Sequence, residues 1–244
     1  MVSRSMRTLV VTGCAVICAL LVAGGGTPSE ASDSDLERLY VLETELGELE
    51  AEIQRLEDAK AIKRLQRAYG YYLEQKLGSE LRELFSDDAT VELGGLGVYV
   101  GKNRIGEFYD WFMGGSLQEG QLFTHLLMQG VVHVDPDGNH ARGRWRALIM
   151  RGQHGQTAEW AEGPYENEYV KQGGVWKLSK VHWYQTLAAP YAQGWHQGPM
   201  ALAGPSEDFP PDMPPSEVYD SYPGSYLPPY HYDNPVSGRP AEEP

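Results

Sequence analysis

Four consecutive segments decide the fold: LFTHLLMQGVVHV (122–134), HARGRWRALIMRG (140–152), TAEWAEGPYENEYV (157–170) and VWKLSKVHWYQTL (175–187). Each reads as a long strand, and turn residues separate them. Asp135-Pro136-Asp137-Gly138 and Gln172-Gly173-Gly174 are hairpin turn signals, so neighbouring strands pair antiparallel. Strands this long, interrupted by glycine, imply one strongly curved antiparallel sheet. In the second segment Ala141, Gly143, Trp145, Ala147 and Ile149 alternate with Arg142, Arg144 and Arg146. Successive side chains of a strand point to opposite faces. The first set is therefore a buried concave face with space left by its small residues. The arginine set is a solvated face, paired across strands with Glu166 and Glu168, in preference to a phosphate site in so acidic a chain.

A concave sheet needs a cover. Upstream, Ala59, Ile62, Leu65, Ala68, Tyr69, Tyr72 and Leu73 recur at helical spacing, predicting a helix over 58–77 that closes the sheet and stops at Gly78. SELRELF (79–85) predicts a second, short helix. TVELGG and GVYVGK predict a small hairpin turning at Gly94-Gly95. NRIGEFYDWFMGG predicts a third helix with Ile105, Phe108, Tyr109 and Phe112 inward and Gly114-Gly115 as its stop. The fold class is α+β: a cone-shaped curved sheet with three N-terminal helices and a pocket inside.

Farther out, the chain divides into residues 1–31, 32–57, 58–190 and 191–244. Arg4 and Arg7 followed by an apolar run from Leu9 to Ala23, too short for a comfortable membrane span, resemble an export signal, with an uncleaved membrane anchor as the alternative. Either places the domain outside the cytoplasm, periplasmic or secreted. The two cysteines, Cys14 and Cys18, both lie in this run, leaving no disulfide framework, cysteine nucleophile or thiolate site in the domain. Leu39, Leu42, Leu46, Leu49, Ile53 and Leu56 alternate spacings of three and four, the pattern of a coiled-coil seam, with Asp33 or Ser34 as its cap. It reads as an element of homo-oligomerisation, dimer or trimer, or as an amphipathic helix packed on its own domain. Residues 191–244 are rich in Pro and Tyr and lack apolar periodicity. They read as an ordered, extended arm anchored by aromatics on its own domain or a partner's, with a disordered tail as the plainer alternative.

Composition limits function. With 41% apolar and 11% aromatic residues the chain can bury a core, and its net charge of −14 excludes a nucleic-acid face or an anionic membrane surface as partner.

The element order, together with LEDAKAIKRLQRAYGYYLEQ (56–75), LRELFSDDATVELGG (81–95) and GVYVGKNRIGEFY (97–109), resembles the SnoaL-like branch of the nuclear transport factor 2-like superfamily and, along the same stretch, scytalone dehydratase. The resemblance covers roughly residues 56–187. In that dehydratase a carboxylate at the end of the first helix faces two histidines from the sheet. Glu74 falls at the carboxylate position and His125 at the first histidine. The second histidine is replaced within RALIMRG by Ile149, Met150 or Arg151, Leu73 stands where a tyrosine precedes the carboxylate, and Leu93 stands near the position of a hairpin tyrosine.

A Glu–His pair in an apolar cone can transfer protons without a cofactor. The resemblance therefore implies a lyase- or isomerase-type enzyme, a dehydratase or an isomerase, acting through Glu74 and His125 on a small hydrophobic, cyclic molecule. Tyr71, Tyr72, Trp145, Ala147, Ile149 and Asn167 are the expected pocket residues. His133, His140, His154 and His182 lack the spacing of a metal cluster, so neither metal nor cofactor is implied. A binding or assembly module without turnover is the alternative.

Overall fold

The computed structural model describes residues 32–241. Two compact units are distinguished, one ending at Ala51 and the other beginning at Glu52. Helix α1 runs from Asp33 to Glu74 as one element, joining the predicted seam segment to the predicted covering helix. Ser32, one residue before the expected caps, accepts the Asp35 amide on its side-chain oxygen at 3.3 Å. The seam residues Leu39 to Leu56 are exposed, whereas Asp58, Ile62, Gln66, Tyr69 and Leu73 form one buried face. The helix stops earlier than expected: Lys76 takes a left-handed φ of 53°, and Gly78 opens helix α2 (Gly78–Glu83) instead of closing α1.

Strand β1 (Phe85–Leu93) is longer than the TVEL motif implied, because Phe85 to Ala89 join it. It turns through Gly94-Gly95 into β2 (Val98–Val100). Helix α3 (Lys102–Met113) buries Ile105, Phe108 and Tyr109 and ends at the left-handed Gly114. The long strands are β3 (Gln121–Val134), β4 (His140–Gln153), β5 (Thr157–Gln172) and β6 (Val175–Trp183). Strand β7 (Leu187–Pro190) leaves the expected fourth segment to pair with β5 at its far end. A short helix α4 (Gly194–Gln197) follows.

The sheet order is β2-β1-β6-β5-β4-β3. It is mixed, not wholly antiparallel: β1 lies parallel to β6, a pairing between distant segments that no hairpin signal announces. Register shifts at Met128/Val131 in β3 and Glu168/Tyr169 in β5 bend the long strands, and Gln129 takes a left-handed φ at the first. The concave face carries Ala141, Trp145, Ala147 and Ile149, all buried, as the parity predicts.

The arginine face departs from its solvated reading at one position. Arg142 pairs with Asp135 and Arg146 with Glu162. Arg144 pairs with Glu166 but is only 8% exposed, because residues 228–231 lie across it. The Pro228 and Pro229 carbonyls accept its Nη1, and the Tyr230 ring sits 4.1 Å from its guanidinium. Glu168 pairs with Lys180, not with an arginine.

Residues 198–241 carry no helix or strand, yet make specific contacts with the domain. The Tyr99 hydroxyl donates to the Phe209 carbonyl, Met213 bridges to Val98, and Ser216 donates to Glu92 through amide and hydroxyl. Residues 1–31, and the export signal read there, lie outside the described residues. Among the described residues no helix is long and apolar enough to cross a membrane.

Candidate functional site

Between α1 and the concave sheet lies an internal cavity of about 130 Å³. Leu73, Phe112, Phe123, Ile149, Tyr165 and Trp183 give it an apolar wall, and His125 and Arg151 bring polar groups to it. Leu202 and Ala203 of the C-terminal segment border it beside Gly94 and Gly95. A side chain at Gly95 would meet the Ala203 carbonyl at 2.6 Å, so this glycine lets the segment lie across the cavity. Phe112, Phe123 and Arg151 also line a second, open groove with Lys76, Gln121 and Glu159.

Gly70 brings His125 to this place. A Cβ there would stand 3.0 Å from Leu127 and 3.4 Å from the His125 carbonyl, so a bare helix face admits β3. The His125 ring is buried, stacks on Tyr165 at 5.8 Å, and has Nε2 3.2 Å from the Tyr165 hydroxyl. The Tyr69 ring packs edge-on against Tyr165 at 6.0 Å, and its hydroxyl lies 2.9 Å from that of Tyr109, leaving a row of three buried tyrosines behind the imidazole. Burial raises all three tyrosine pKa values, so the row stays neutral. Burial lowers His125 to about 3, so its ring is neutral at physiological pH. Its Nδ1 is buried without a hydrogen-bond partner. Gln66 Nε2, Trp160 Nε1 and His182 Nε2 are orphaned in the same way, but of these residues only His125 lines the cavity.

Glu74 does not hydrogen-bond this ring. Its Oε1 accepts the His125 main-chain amide at 2.6 Å, and it lines an outer groove with Arg67, Gly70 and Tyr71. Tyr71 is 68% exposed, and Tyr72 packs at the edge of the core. Ile149 lines the cavity; Ala147 is buried without reaching it. Trp145 and Asn167 belong to a separate buried network. Trp145 donates to the Tyr169 hydroxyl at 2.9 Å; Tyr169 and Asn167 donate to Gln66 at 2.7 and 3.0 Å; Asn167 accepts the His182 amide. The Trp145 ring also covers Gly130 at the β3 register shift, where it fills space rather than opening it.

Sequence reasoning did not name Tyr69, Tyr165, Phe123, Trp183 or Arg151 among the pocket residues. The first four carry the same apolar-periodic signal as any core aromatic. Arg151 continues the parity of Ala147 and Ile149 at the end of β4, which is the signal that places it on the concave face, and its guanidinium is held by Glu159.

Comparison with known proteins follows this geometry. The profile of the SnoaL-like domain family matches residues 54–182. A search of curated proteins finds no match. Among solved structures, a Novosphingobium aromaticivorans DSM 12444 protein named for scytalone dehydratase is 19% identical, with TM-score 0.52, over 63% of this chain and 96% of its own. The type 3 hexachlorocyclohexane dehydrochlorinase from Novosphingobium barchaimii LL02 is 20% identical, with TM-score 0.51, over 58% of this chain and 94% of its own. At these identities the likeness is one of fold. Matched through its covering helix, its curved sheet and the strand that bears His125, the chain belongs to the SnoaL-like domain family.

Proposed function

We propose that the domain binds a small hydrophobic, cyclic molecule in the His125 cavity and moves a proton on it without a cofactor, as a dehydratase or isomerase does. The observation that carries this reading is the neutral, buried imidazole on the cavity wall with Nδ1 unpartnered. A dry cavity of about 150 Å³ admits a benzene-sized molecule, so about 130 Å³ matches one ring. The names of the two structural neighbours, a dehydratase and a dehydrochlorinase, both describe eliminations and accord with this chemistry.

In the proposed step Nε2–H donates to the Tyr165 oxygen, which leaves the Nδ1 lone pair to take a proton from the carbon next to a carbonyl or leaving group. The Tyr165 hydroxyl, against which the ring stacks, holds it in that tautomer. Arg151 places a fixed positive charge near developing negative charge on the substrate. Glu74 acts as a positioning residue through the His125 amide, not as a partner of the ring. Export directed by residues 1–31, and self-association of the domain, belong to the same proposal; cell fractionation with N-terminal sequencing, and light scattering, test them.

The catalytic step is tested by solvent exchange. Cyclohexanone incubated in D₂O with the full chain gains deuterium beside its carbonyl faster than with His125→Gln. Equal rates in both remove His125 as the base. A second reading, a binding module without turnover, is favoured by the main-chain role of Glu74. It predicts saturable ligand quenching of Trp183 with no catalysed exchange.

A further inference from the structure

The N-terminal part of α1 presents a surface that the cavity does not use. Leu39, Leu42, Leu46, Leu49, Ile53 and Leu56 follow one another at three and four residues and are 54–66% exposed. A side chain on this stripe wants a partner helix, since apolar seams at this spacing are buried by knobs-into-holes packing. The positions that flank the seam on both sides are Glu43, Glu45, Glu50, Glu52 and Glu57, with Arg38 as the one cation. Across residues 33–57 there are nine carboxylates and two arginines. Among the described residues none of those five glutamates makes a salt bridge. Gly47 faces away from the seam, with open space around it, and does not interrupt it.

A second copy is a poor occupant. In a parallel pair Glu45 meets the partner's Glu50 and Glu52 meets the partner's Glu57, and only Arg38 meets an opposite charge. Reversing the partner still brings glutamates together, because both flanks are acidic. Like charges at these positions act against a pairing, and opposite charges select one. We infer that the seam of α1 binds a basic amphipathic helix of another protein, about three heptads long, with an apolar stripe and Lys or Arg on both flanks. This pairing is independent of the chemistry at His125. Self-association of the domain, where it occurs, uses another surface.

The test uses three labelled synthetic helices of three heptads, all with Leu at the seam: one with Lys on both flanks, one with Glu on both flanks, and one with the sequence of residues 33–57. Fluorescence anisotropy is read against the full chain. The Lys-flanked helix binds at least tenfold more tightly than the other two, and its affinity falls as salt is raised from 0.05 to 0.5 M. In a Leu42→Asp, Leu49→Asp chain that binding is lost, while the sedimentation mass of the chain is unchanged. Equal binding of the three helices, no binding of the Lys-flanked helix, or a halved mass in the double variant overturns the proposal; the last result assigns the seam to a second copy.

Discussion

The layer between the buried face of α1 and the sheet holds polar groups at both ends, and the ends are built differently. At one end Asp58 accepts Lys171 at 2.7 Å and the Trp176 indole at 2.8 Å, and Gln66 accepts Asn167 and Tyr169. The side chains there fill the space. At the other end His125 has one nitrogen against Tyr165, the other unpartnered, and a cavity beside it. Both ends are buried and both use polar side chains from the same helix face or the strand it covers. What separates the two ends is space: Gln66 too has a buried Nε2 without a hydrogen-bond partner, yet it is packed among Asn167 and Tyr169, whereas His125 lines a cavity.

Breaking the closed end costs most. Asp58→Ala strands the Lys171 ammonium and the Trp176 N–H, and urea denaturation reads a loss of about 3 kcal/mol. Gln66→Leu removes the acceptor of two buried donors and lowers stability by about 2 kcal/mol. Neither substitution changes the ligand preference of the cavity.

The open end is read by pH. His125 and His182 are both held near pKa 3 by burial, below their unfolded value. The unfolded chain therefore binds the protons first. The stability contributed by each neutral ring is complete above about pH 6.5 and falls as pH drops toward 3, by about 1.4 kcal/mol per pH unit per histidine. His125→Gln removes its share of that slope, and the His182 share remains. The smallest effect is at the lid of the cavity. Gly95→Ala pushes against the Ala203 carbonyl, lowers stability by about 1 kcal/mol, and speeds ligand entry in stopped-flow quenching of Trp183.

The same contrast explains what the sequence disclosed. Strand parity identified the concave face through Ala141, Trp145, Ala147 and Ile149, because period-two alternation is a local property of one strand. Helical spacing identified Ile62, Tyr69 and Leu73 for the same reason. Parity does not say which buried residues touch the cavity. Trp145 and Asn167 share the face of Ile149, yet their polar atoms are taken by Tyr169, Gln66 and His182, which come from other elements. The register of the resemblance brought Glu74 next to His125, but which atom of His125 it meets depends on the approach that Gly70 allows. Arg144 has the parity of its exposed neighbours and is buried only because residues more than eighty positions later fold over it.

The most direct test of the account is a titration of the His125 ring by nitrogen-15 NMR, with and without cyclohexanone. The account predicts a neutral ring throughout pH 7.5 to 4.5, and a shift at Nδ1 when the ketone is added. A ring that gains its proton near pH 6.5, or that is unmoved by a ketone which binds, contradicts it.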